Sequence, residues 1–183
     1  MIPVSDIIQQ VRIEEKDVNE AKFSDWDIVN AINKALRLMS NQLAQMNTDF
    51  MERTIRYDMG ETWAGAELPK DFITVQRVER FNGSVLRPDT TVSTKHNTYH
   101  IKNNKLYAKG TVLMTYKAML STAEAGGELD VPPFLFDMIV ASSRMIINNA
   151  ERDVLTQYIT EVSASLVPRR KYTHARTKMP FHI

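Results

Sequence analysis

Met51-Glu52-Arg53-Thr54-Ile55-Arg56-Tyr57-Asp58-Met59 alternates residue by residue, with Met51, Arg53, Ile55, Tyr57 and Met59 on one side and four polar or charged residues on the other. A period of two is the signature of a strand with one buried face. Further strand-like runs follow. Leu68-Pro69 opens Phe72 to Phe81, rich in Val, Ile and Phe, and Asn82-Gly83 is a strong hairpin signal because both residues tolerate positive φ. Val85 to Arg87 would be its return strand. Tyr99–Ile101 and Leu106–Ala108 flank Lys102-Asn103-Asn104-Lys105, a second hairpin, and Gly110 leads into Thr111–Lys117. The middle of the chain therefore predicts an antiparallel meander.

On either side the period changes. Ser5 is placed to cap a short helix carrying Ile7, Ile8 and Val11, and a polar stretch from Glu14 to Lys22 reads as a loop in which Glu14, Glu15 and Asp17 are solvated. Ser24 followed three residues later by Asp27 makes a capping-box-like start, with Asp25 and Asp27 at the positive helix end. Ile28, Ile32, Ala35, Leu36, Met39, Leu43 and Met46 then recur at helical spacing, which predicts about six turns closing near Asn47. After Gly126-Gly127 and Pro132-Pro133, with Asp130 as a possible cap, a second helical region carries Leu135, Met138, Ile139, Ser142 and Ile146. It continues past Asn148-Asn149 through Val154, Leu155, Tyr158, Ile159, Val162 and Leu166 until Pro168.

The expected fold class is α+β. N- and C-terminal helices (4–47 and 133–166) form an α-helical bundle, an inserted small antiparallel β-sheet (51–120) is an appendage, and an extended C-terminal arm (167–183) follows a single domain spanning 1–166. A lone small sheet is marginal unless something packs on it, so neighbouring copies are expected to supply its cover.

Composition narrows the function. The chain has 183 residues, 43% hydrophobic and 25% charged, with no cysteine, so one core is expected and thiolate chemistry is excluded. No apolar run is long enough for a membrane span, and Met1 to Asp6 lacks the pattern of a secretory signal. The net charge of +1 hides an uneven distribution. Residues 167–183 hold Arg169, Arg170, Lys171, Arg176 and Lys178 and no acid; removing these five from the 23 basic residues leaves 18 against 22 acids. With Tyr172, His174, Phe181 and His182 interspersed, this arm resembles a segment that orders on a partner, and it points to an interaction protein rather than an enzyme. Protein docking, nucleic-acid binding and a plain solvated terminus are its three readings.

No catalytic constellation emerges. Gly126-Gly127 lacks the Lys-Ser/Thr of a phosphate loop, Ser142-Ser143 has no nucleophile-elbow context, and His96 and His100 read as a surface pair rather than metal ligands. No cofactor is expected. Trp26 and Trp63 are candidate interface anchors, with packing inside the subunit as the alternative for each.

The order of parts resembles the head-to-tail adaptor proteins of tailed bacteriophages, in particular the tail tubular protein A-like adaptors of short-tailed phages. Ser24-Asp-Trp-Asp-Ile-Val-Asn-Ala-Ile-Asn-Lys-Ala-Leu36 is similar to the family's helix seam, and Glu67-Leu-Pro-Lys-Asp-Phe-Ile73 to its Leu-Pro strand start. Val112-Leu-Met-Thr-Tyr-Lys-Ala118 resembles the close of its sheet, and Leu129-Asp-Val-Pro-Pro-Phe-Leu-Phe-Asp-Met-Ile-Val-Ala-Ser-Ser-Arg144 its Pro-x-x-Phe helix start. The resemblance implies a structural, non-enzymatic virion protein at the portal vertex, assembled in the host cytoplasm. It would form a homo-oligomeric, dodecameric ring between the portal protein and a tail nozzle or other tail protein. Genome DNA would pass through the lumen without sequence-specific binding, and no membrane would be involved. Arg169, Arg170, Lys171, Tyr172, Arg176, Lys178 and Phe181 would belong to the portal-binding arm. Another neck or tail-completion protein, or a nucleic-acid-binding module led by the arm, is the alternative.

Overall fold

The computed structural model describes residues 1–20, 22–46, 48–60, 64–89 and 97–166. Strand β1 (Ile2–Pro3) runs into helix α1 (Val4–Glu14), and α2 (Asp25–Gln45) ends at a 3-10 turn, Asp49–Met51. Strands β2 (Glu52–Asp58), β3 (Ala64–Glu67), β4 (Phe72–Arg80), β5 (Arg87–Pro88), β6 (Thr98–Lys102), β7 (Lys105–Ala108) and β8 (Thr111–Ala118) follow. The short β9 (Glu128–Leu129) precedes a 3-10 turn at Pro133–Leu135, then α3 (Phe136–Ile147) and α4 (Arg152–Leu166).

The helices behave as their local chemistry dictates. Ser24 caps α2 with a complete capping box: its hydroxyl accepts from the Asp27 N–H, and the Asp27 carboxylate accepts from the Ser24 N–H at 3.0 Å. These bonds from Ser24 hold the Asp27 carboxyl below its ordinary value. Helix α1 has no such cap. It begins at Val4 behind Pro3, and Ser5 donates to the Asp6 side chain instead of capping. Asn148 closes α3, and Asn149 adopts φ 55°, so the polar pair separates α3 from α4. Asp130 caps nothing; Pro132 and Leu135 precede the two helical starts.

The expected bundle with one appended sheet is not what forms. The structure is α+β with four helices and three sheets of two to four strands among the described residues, of which 42% are helical and 28% strand. One sheet is the β1–β9 clip, which ties the start of the chain to the approach of α3. The second has the order β2-β8-β4 and the third β3-β7-β6-β5. The alternation seen in the sequence is present, but the segments divide between two sheets. Val112, Met114 and Tyr116 of β8 share one buried cluster with Tyr99, Leu106 and Ala108 of the other sheet. Each small sheet therefore covers the other, which removes the need for a neighbouring copy to do so.

The Asn82-Gly83 turn forms, with Gly83 at φ 84° and the Arg80 N–H donating to the Ser84 carbonyl at 2.9 Å. Its return strand does not extend as expected. Only a single bridge joins Glu79 to Val85, after which β5 crosses to the other sheet and pairs with β6 in parallel. That sheet is mixed rather than antiparallel. The β6–β7 hairpin turns through Asn103 and Asn104, at φ 50° and 59°, as a two-residue turn requires.

A separate apolar core lies among the helices, built from Ile28, Ile32 and Met39 of α2, Ile7 and Val11 of α1, and Met138, Ile139 and Ile159 from α3 and α4. The irregular segment after β8 is fastened to α2 by two polar side chains. Ser40 donates to the Leu36 carbonyl and accepts from the Leu120 N–H at 3.0 Å. Asn33 takes both backbone groups of Ala123, accepting at 2.7 Å and donating at 3.0 Å, a side-chain copy of a strand pair. Asn33→Ala is expected to cost about 2 kcal/mol in urea unfolding because it strands both Ala123 groups; a loss under about 0.5 kcal/mol would show that water replaces the amide.

Candidate functional site

The seven residues assigned to the portal-binding arm, Arg169, Arg170, Lys171, Tyr172, Arg176, Lys178 and Phe181, lie outside the described residues, as do Trp63 and His96. What the structure supplies is the surface of the folded part.

Three exposed apolar side chains lie at the end of the helical layer where α1 stops, α2 starts and α3 stops. Trp26 is 73% exposed, Val18 69% and Ile13 51%. Trp26, named as either an anchor or a packed residue, is on the outside. Two grooves flank the loop between α1 and α2. One, about 610 Å³, mixes apolar Phe23, Trp26 and Ile146 with polar Asp27, Asn30 and Lys34; the other, about 540 Å³, is lined by Ile8, Ile13, Val18, Glu20 and Asp25 among others.

The loop between these grooves is held by a buried ion pair. Arg12 donates to the Asp17 carboxylate at 3.2 Å, to the Phe23 carbonyl at 3.0 Å and to Asp25 at 2.5 Å. Asp17 in turn accepts from the N–H groups of Lys22 and Phe23. Asp17 was expected in a solvated loop; it is 3% exposed, and Arg12 6%. A charge can be buried there because nearly every lone pair and donor is used. The spacing of Arg12, Asp17 and Asp25 in the sequence does not single them out, since the pairing needs the chain to turn back at Asn19–Glu20, where Glu20 has φ 57°.

Arg144, near the end of α3, brackets the end of α1 by donating to Glu15 at 2.7 Å and to Glu14. Glu15 and Glu14 are therefore paired rather than freely solvated. Burial alone would raise the Glu15 carboxyl, but hydrogen bonds with Arg144 and Asn148 bring it below its ordinary value of 4.5. A depressed folded value stabilises above the unfolded one and loses that contribution as pH falls through the folded one. The stability difference between the native protein and Glu15→Gln is therefore expected to be constant above about pH 5 and to shrink below pH 4.5. Melting curves across pH 3–7 measure it, and a difference that grew on acidification would contradict the pairing.

Compared with models of protein families and with curated proteins, the chain matches none.

Charge divides along structural lines. Residues 1–47 and 119–166, the helical part, hold 14 acids against 7 Lys/Arg, whereas residues 48–118 hold 8 acids against 11. With the five cations of 167–183, the molecule is acidic through its helices and basic elsewhere. The β side has its own exposed apolar point, Phe81 at the Asn82-Gly83 turn, with the Arg56 guanidinium 5.3 Å from its ring centre. At the junction of helices and sheet, a cleft of about 340 Å³ lies beside the edge-to-face pair Phe50–Phe134.

His100, read as a surface residue, is buried; its Nδ1 bonds the Asp89 carbonyl at 2.8 Å and its Nε2 has no hydrogen-bond partner among the described residues. Ser142 and Ser143 are buried on α3, and Ser143 donates to the Ile139 carbonyl. Among the described residues no group of three His, Cys, Asp or Glu could hold a metal ion, and no helix is long and apolar enough to cross a membrane.

Proposed function

We propose that this chain is a head-to-tail adaptor of a tailed bacteriophage, a structural virion protein that joins the portal to the tail as a ring of copies. The observation that carries this reading is the two-ended character of the subunit. An acidic helical layer exposes Ile13, Val18 and Trp26 at one end, and a basic segment carrying Tyr172 and Phe181 follows the last helix. Unlike surfaces on one molecule make heterologous contacts, and these close into a ring when the rotation allows. The sequence stretches that resemble the adaptor family, from Ser24 to Leu36 and from Leu129 to Arg144, form the capped α2 and the approach and body of α3.

In this reading the portal protein receives the segment with Arg169, Arg170, Lys171, Tyr172, Arg176, Lys178 and Phe181. A tail nozzle or other tail protein meets the opposite side of the ring. Genome DNA passes through a lumen that acidic side chains keep from gripping it. Repetition around the ring makes weak single contacts into a stable junction. The test is co-sedimentation with isolated portal rings. The full chain is expected to travel with the ring, and a chain ending at Leu166 to stay behind. Undiminished binding of the shortened chain would overturn the role of the arm, and no binding of the full chain would overturn the adaptor reading.

A further inference from the structure

We propose that the exposed Asn82-Gly83 turn is a self-modification site: the Gly83 backbone nitrogen displaces ammonia from the Asn82 side chain, and water opens the ring to aspartate or isoaspartate. The reaction needs an electrophilic amide carbon, a backbone nitrogen beside it and room for a small ring. The turn supplies each.

Ser84 activates the amide carbon. Asn82 Oδ1 accepts from the Ser84 N–H at 3.1 Å and from the Ser84 hydroxyl at 2.8 Å. An amide NH2 cannot accept from a backbone N–H, so these bonds fix the oxygen as the atom facing Ser84. Negative charge develops on that oxygen when Gly83 attacks Cγ, and both donors already point at it. The attacking nitrogen belongs to glycine, so no side chain crowds its approach, and a Cβ built on Gly83 would meet nothing within 4 Å. Every other Asn of the chain precedes a residue with a side chain. Asn82, Gly83 and Ser84 are all exposed, so water and hydroxide reach them.

One bond opposes the reaction. The Gly83 N–H donates to the Arg80 carbonyl at 2.9 Å, which holds the nitrogen back. That bond sits at a hairpin tip closed by the Arg80–Ser84 backbone bond and the single Glu79–Val85 bridge, so its opening disturbs little else. Hydroxide then takes the Gly83 proton, the nitrogen bonds to Cγ, and the Cγ–Nδ2 bond breaks as a proton from water completes the departing ammonia. A second water adds to either ring carbonyl. In sum, asparagine and water become ammonia and either aspartate or isoaspartate.

The product places a new carboxylate beside Phe81, whose ring carries the Arg56 guanidinium, in the part of the chain where cations outnumber acids. In isoaspartate the main chain also gains a methylene, so the Arg80–Ser84 pairing no longer closes. None of this rests on the adaptor reading.

The experiment ages the full chain in mildly alkaline buffer, folded and in urea, and locates the products by peptide mass spectrometry. The folded chain is expected to gain about 1 Da at Asn82, as separate aspartate and isoaspartate peptides, while Asn103 and Asn104 at their own exposed turn stay unchanged. Ser84→Ala is expected to slow the folded reaction by about fivefold, the rate equivalent of one exposed hydrogen bond, and to leave the rate in urea unchanged. Gly83→Ala is expected to slow it in both conditions. An unmodified Asn82 in the folded chain would overturn the proposal, as would equal modification at Asn103 or Asn104. A folded rate untouched by Ser84→Ala would overturn the activation by the turn. The first readout uses the natural chain, so it holds even if a variant fails to fold.

Discussion

Lys117→Ala is expected to destabilise the protein by about 3–5 kcal/mol, the range for breaking a buried ion pair from one side. Lys117 is 1% exposed, and its ammonium donates to the Thr48 carbonyl and to Glu52 at 2.8 Å. Val112, Met114 and Tyr116 face the other sheet, so alternation turns Lys117 to the opposite face, toward the 3-10 turn that follows α2. There it joins the helical part to the β part. Alanine would leave a void, an unpaired Thr48 carbonyl and a carboxylate without its cation. Lys117→Met fills the space and leaves Glu52, whose side chain is 35% exposed, able to turn to water. Its expected loss is smaller, about 1–3 kcal/mol, chiefly for the stranded carbonyl. Urea unfolding of the two variants decides. Equal losses below about 1 kcal/mol would mean that the ammonium reaches solvent and the junction rests on packing alone.

Arg12→Met should have a similar effect, about 3–5 kcal/mol, by removing the guanidinium that faces the buried Asp17 carboxylate. Three acceptors each lose a donor at once, Asp17, the Phe23 carbonyl and Asp25, and Asp17 keeps the N–H groups of Lys22 and Phe23. The loop held by those bonds carries Val18 and leads to Trp26. Removing both charges, as Arg12→Met with Asp17→Leu, is expected to cost clearly less than the sum of the single changes. A strictly additive double-mutant cycle would show that the two side chains act independently and that the loop is held by its backbone bonds.

Both predictions concern charged residues whose importance could not be read from the chain. Local chemistry was legible wherever a backbone need is met by neighbours within a few residues. The Ser24–Asp27 capping box, the Asn103-Asn104 turn and the helical spacing from Ile28 to Leu43 belong to that class. Lys117 and Asp17 look like solvent-facing residues because a periodic pattern reports which side of an element a residue occupies, not what covers that side. Trp26 shows the same limit: the sequence left it open between an interface anchor and a packed residue, and it stands exposed while the stripe Ile28–Ile32–Met39 faces the core.

The expected single appended sheet failed for a related reason. Strand runs were visible, but assignment to sheets depends on which edges meet, and the chain crosses after Val85 instead of returning along β4. By itself the sequence determined the kinds of elements, the Ser24 cap and the Asn82-Gly83 and Asn103-Asn104 turns, and the separation of a basic segment from an acidic remainder. Only the tertiary structure decided that two small sheets cover one another, that the acid surplus belongs to the helices, and that one apolar helical end stays open. Pairing of edges and burial of charge are set by contacts between residues distant in the chain, and local periodicity carries no record of them.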